Sequence, residues 1–111
     1  MPLKSIPENF GEAVEQFGGD TKRAAWQLLS LEATMTLGRN VAHDHRTDEL
    51  VVLVDPWPVG EAPPITPPDA GQIETIIDQA VSRFGIPEAD KPRVTGARVQ
   101  PYVPALIVIL L

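Results

Sequence analysis

Ile6, Phe10, Val14 and Phe17 recur at helical spacing and place one apolar stripe on a short helix. Ser5 and Glu8 stand at capping-box spacing ahead of it, Pro7 suits a first turn, and Gly18-Gly19 provides a stop. Asp20 then caps a longer helix, TKRAAWQLLSLEATMTLG. Two apolar stripes run along it. One contains Ala24, Leu28, Leu31 and Met35, the other Trp26, Leu29, Ala33 and Leu37. Arg23, Gln27, Ser30 and Thr34 form a narrow polar strip, so this helix is predicted to sit centrally in a core or an interface.

The pattern then loses its helical period. Residues 40–46 and 50–55 have strand character and are separated by Thr47-Asp48-Glu49, which predicts a hairpin. The segment PWPVGEAPPITPP follows, and its six prolines in thirteen residues predict a stiff, extended crossover. Its PxxP run, Pro64 to Pro67, lacks an adjacent basic residue and is a weak signal for a proline-recognising partner. Thr66 and Asp69 introduce the clearest helix, whose stripe is Ile73, Ile76, Ile77, Ala80, Val81 and Phe84, with Gly85 as its end. Residues 93–100 and 105–111 read as two last strands. The predicted order is α-α-β-β-α-β-β. That is an α+β helix–sheet sandwich on a mainly antiparallel four-stranded sheet, one domain over residues 1–111 with a Pro-rich crossover at 56–66 between its halves.

The runs LVVLV at 50–54 and ALIVILL at 105–111 do not alternate, so both faces of the sheet need cover. Either the helices divide between the faces, or they share one and a partner chain covers the other. A chain this small has little surface to spare, and a homo-oligomer that buries either this last strand, with Val108 and Leu110, or the second helix is predicted.

Charge narrows the partners. Nine basic and fifteen acidic residues give a net charge of -6, which disfavours nucleic acid and anionic membranes and favours a basic protein partner. The absence of cysteine removes disulfides and thiolate chemistry and suits the cytoplasm. No leader-like apolar segment opens the chain, and ALIVILL is too short to cross a bilayer.

The candidate chemistry lies in VAHDHRTDELVVLVDP, residues 41–56. His43 and His45 share a strand face, and Asp48 or Glu49 could add oxygen ligands. Val41 shares that face, however, the acids fall where turn chemistry favours them, and the spacing matches no zinc motif. The stretch therefore reads as the charged tip of a hairpin, with no metal and no cofactor. Ser30 and Ser82 lie in helices without a nucleophile-elbow pattern, and Gly18-Gly19 forms no phosphate loop. Trp57, between Pro56 and Pro58, is either a cover for the core edge or a partner-binding anchor.

These features predict a small acidic interaction or assembly subunit: an adaptor, inhibitor or accessory protein acting through surface contacts. The alternative is a small enzyme or ligand-binding domain with a pocket between helices and sheet served by His43, His45, Asp55 or Tyr102. A flat apolar patch would favour the first, and polar side chains in an apolar-walled cavity the second.

Overall fold

A computed structural model describes residues 6–102. The first helix, α1, spans Phe10–Gln16. Its cap is Asn9, whose side chain accepts the Glu12 N–H at 2.9 Å, while the Glu12 carboxylate accepts the Glu8 N–H at 2.7 Å. The expected cap, Ser5, lies outside the described residues. Helix α2 spans Thr21–Leu37; Asp20 caps it through the Arg23 N–H at 3.0 Å, and Gly38 closes it in a left-handed conformation at φ 66°. Helix α3 spans Ala70–Phe84. Its capping box is reciprocal, with Asp69 accepting the Gln72 N–H at 2.8 Å and the Gln72 side chain accepting the Asp69 N–H at 3.0 Å.

Strands β1 (Asn40–Asp44), β2 (Glu49–Val54) and β3 (Gly96–Pro101) form one sheet in the order β1-β2-β3. β1 and β2 are the expected antiparallel hairpin, while β2 and β3 run parallel. This corrects the predicted four-stranded, mainly antiparallel sheet. Among the described residues the sheet is three-stranded and mixed, and the order is α-α-β-β-α-β. The physical reason is the connection. A Pro-rich segment followed by a whole helix is long enough to carry the chain back to the starting end of the sheet, so β3 enters in the same direction as β2. The α+β class stands. The run 105–111, with Val108 and Leu110, lies outside the described residues.

Register assigns the faces. Val41 pairs with Val52, which pairs with Val99, and Leu50 pairs with Ala97; these residues and Val54 pack with all three helices in one core. The helices therefore share one face. The opposite face carries Ala42, Val51 and Leu53 as a small separate cluster, flanked by Asp44, Glu49 and Arg98. α2 is the hub, touching α1, α3 and β1, with Ala24, Ala25, Leu28, Leu29 and Ala33 fully buried. Among the described residues, no helix is long and apolar enough to cross a membrane.

Two carboxylates are buried with arginines beside them. Glu32, on the otherwise apolar α2, is 2% exposed and accepts Arg83 Nε of α3 at 2.9 and 3.1 Å. Asp44, 1% exposed, accepts Arg98 Nη2 at 2.8 Å, the Arg46 backbone N–H at 3.0 Å and Arg46 Nε at 3.2 Å. Arg98 also reaches Glu49 at 2.7 Å. These pairs tie α2 to α3 and β1 to β3, the long-range contacts of the fold.

Candidate functional site

The segment of α2 that faces β1 is set by helical spacing. Lys22, Trp26 and Ser30 lie four residues apart, with Arg23 and Gln27 beside them. Opposite stands β1, an edge strand whose side chains alternate, so Val41 and His43 both face the helices. Between α2 and β1, with Phe17 from the end of α1 as an end wall, lies a cavity of about 770 Å³. That volume is within the range of roughly 300–1,000 Å³ usual for ligand sites. The cavity also reaches around the edge of β1 to Ala42 and Leu53.

His43 is one of its walls. The imidazole stacks on the Trp26 indole with ring centroids 3.6 Å apart and planes within 3°. Its Nε2 lies 3.2 Å from Asp48 Oδ1. The side chain is 17% exposed, so His43 is not the solvated ornament that its hairpin position predicts. Asp48 takes a left-handed conformation, φ 56°, which an aspartate tolerates and which completes the turn. Its carbonyl accepts the Thr95 N–H at 3.1 Å, so the turn that presents Asp48 to His43 is anchored to the strand entering from across the fold. His45, exposed in the turn, lines the same cavity.

Burial lowers the His43 pKa below 6.5, and the contact with Asp48 offsets this only in part. A histidine depressed in the folded state binds its proton more readily when unfolded, so its contribution to stability is present above about pH 6.5 and is lost as the pH falls through the folded value. An NMR titration of the His43 Hε1 resonance is expected to give a midpoint below 6.5. A midpoint at or above 6.5 would show that the Asp48 contact outweighs burial.

The remaining sequence candidates lie elsewhere. Asp55 and Tyr102 border a smaller, more open recess of about 300 Å³ near the start of β1, so the four residues His43, His45, Asp55 and Tyr102 divide between two places. Trp57 is half-buried and packs against the core. A trough of about 720 Å³ between α2 and α3 is wide open and is floored by the Glu32–Arg83 pair, without an aromatic wall. It offers less to a guest than the α2–β1 cavity.

Polar groups inside the α2–β1 cavity differ in how they are engaged. Among the described residues, the Ser30 hydroxyl (residue 7% exposed) and the Trp26 indole N–H have no hydrogen-bond partner, and Lys22 has no ion pair. The carboxylates are occupied, Asp20 by the α2 cap and Asp48 by His43. The cavity thus offers donors more than acceptors. Ser30, His43 and Asp48 line one space, yet no hydrogen bond joins Ser30 to His43 among the described residues, so no proton relay to a nucleophile is assembled. Nor does any group of three or more His, Asp or Glu among the described residues lie together as a metal site would require.

Sequence reasoning placed Arg23, Gln27 and Ser30 in the polar strip of α2 but gave them no role. Their position beside Trp26 is the signal, because a polar strip that abuts a large aromatic marks a boundary between core and cavity. No known family, curated protein or solved structure matches the chain.

Proposed function

We propose that this chain is a small acidic binding module of the cytoplasm, an adaptor, inhibitor or accessory protein, whose working surface is the groove between α2 and β1. The observation that carries the reading is the conjunction of an aromatic-walled cavity of about 770 Å³ with an unpaired Ser30 hydroxyl inside it. The Ser30 hydroxyl is accessible from the cavity and is open to a hydrogen bond from a guest. Polar side chains within apolar walls favour a ligand-binding pocket over a flat contact surface, so the module is one that takes in part of its partner. An acid–base or nucleophilic enzyme at this site is less well supported. His43 Nε2 is held by Asp48, one ring face is covered by Trp26, and Ser30 is not linked to either.

The test uses small probes. Indole, phenol and benzoate titrated into ¹⁵N-labelled protein are expected to shift amide resonances of Phe17, Trp26, Ser30 and His43 together, and Trp26→Ala is expected to abolish the response. Shifts absent at these residues, or scattered over the surface, would remove the groove as the working site.

A further inference from the structure

We infer that the guest of this groove is a short polypeptide segment in extended conformation, added as a strand along the open edge of β1. It would place an apolar side chain between Phe17 and Trp26 and a carboxylate near Lys22. The inference rests on the groove being the binding site, and it goes on to name the chemistry of what binds.

The edge of β1 is the first argument. Among the described residues β1 is an outer strand, and its backbone groups alternate between the β2 side and the open side. Val41 N–H points to the open side, because it donates to Thr34 Oγ1 of α2 at 3.1 Å. The Thr34 hydroxyl in turn donates to the Ser30 carbonyl at 2.9 Å, so α2 closes the edge at this point. Alternation puts the next outward N–H and C=O two residues on, at His43, where the cavity lies between β1 and the helix. Unpaired strand edges are normally blunted by charge, proline or cover. Here the cover stops at Val41 and a cavity takes its place.

Chemistry at the groove supplies the second argument. The indole N–H of Trp26, the hydroxyl of Ser30 and the ammonium of Lys22 are all donors, and among the described residues none has a partner. Such a set calls for acceptors, which a peptide provides as main-chain carbonyls and an acidic side chain. The end of α2 that borders the cavity is its N-terminus, where a negative charge is favoured and where Asp20 is already committed to the Arg23 N–H. The aromatic walls suit an apolar side chain projecting from alternate positions of a strand. The net charge of -6 still favours a basic partner at long range. The groove selects the segment of that partner which enters it.

Panning a phage-displayed library of random linear heptapeptides against the folded chain tests this. Enriched peptides are expected to share an apolar or aromatic residue near an Asp or Glu. In fluorescence-anisotropy titrations of the synthetic peptide, Trp26→Ala and Lys22→Glu are each expected to weaken binding about tenfold or more. N-methylation along the peptide backbone is expected to weaken binding at every second position only, the signature of strand pairing. Lys22→Glu, at an exposed position, carries the test alone if Trp26→Ala does not fold by circular dichroism. No enrichment, equal binding by the Trp26 variant, or indifference to N-methylation would each overturn the strand inference. If indole and benzoate still bind the groove in that case, the binding-module reading stands without it. If they do not, both fall.

Discussion

Leu28→Ala is expected to cost about 3 kcal/mol of folding stability, within the range typical of a fully buried leucine truncated to alanine. Leu28 is 0% exposed on α2 and contributes to the core where helices and sheet meet. Met35 belongs to the same stripe by sequence but is 52% exposed, so Met35→Ala is expected to change stability by no more than about 0.5 kcal/mol. Urea unfolding of the two variants decides the matter. Equal losses would mean that α2 is buried all round, as its composition suggests, and that the exposed side described here is covered.

The contrast between Leu28 and Met35 shows which features were legible in the sequence. Helix positions were legible because caps and periodicity are local: Asp20, Asp69, Gly38 and Gly85 act within one turn of themselves. The side of α2 that meets solvent was not, because Glu32 falls in a largely apolar stretch and becomes tolerable there only through Arg83, which is 51 positions away. Strand direction failed for a similar reason. Parallel pairing of β2 with β3 is decided by a partner 47 positions on, and nothing within either strand encodes it. At the site, turn chemistry correctly placed Asp48 but hid His43, because the ring that stacks on His43 belongs to a helix earlier in the chain. Ser30 was visible as a polar residue in a central helix and was set aside for want of a nucleophile motif.

Asp44→Asn is expected to destabilise the fold by about 2 kcal/mol at pH 7. Breaking a buried ion pair typically costs about 3–5 kcal/mol, and this one is roofed by arginine side chains that remain partly in water. The Arg46 guanidinium, then those of Arg98 and the Arg46 backbone N–H, hold the Asp44 carboxyl well below the usual carboxylate range against the opposing effect of burial. A carboxyl depressed in the folded state contributes stability that is fully present above the unfolded value of about 4 and drains away as the pH falls toward the folded one. Wild-type stability is therefore expected to decline below about pH 4 more steeply than that of Asp44→Asn. Urea midpoints measured at pH 7 and pH 3 provide the check. Parallel declines would show that Arg98 and Arg46 discriminate poorly between charged and neutral side chains at position 44.

The central strand receives its neighbours by unequal routes, and this sets an order of assembly. β1 reaches β2 across residues 45–48, while β3 must return across residues 55–95. For an ideal flexible chain, closing the longer loop costs roughly 2 kcal/mol more than closing the shorter one. The hairpin and the helix beside it can therefore organise while β3 is still unattached, and the half of the molecule that carries the groove forms ahead of the half that completes the sheet. Pulsed hydrogen-exchange labelling during refolding is expected to protect Ala42 and Val51, which pair across the hairpin, before Tyr102, whose N–H donates to the Val54 carbonyl, and simultaneous protection would contradict this order. Until β3 docks, β2 has a free edge of its own, so the slow step of folding is also the interval in which this chain is most exposed to pairing with another copy.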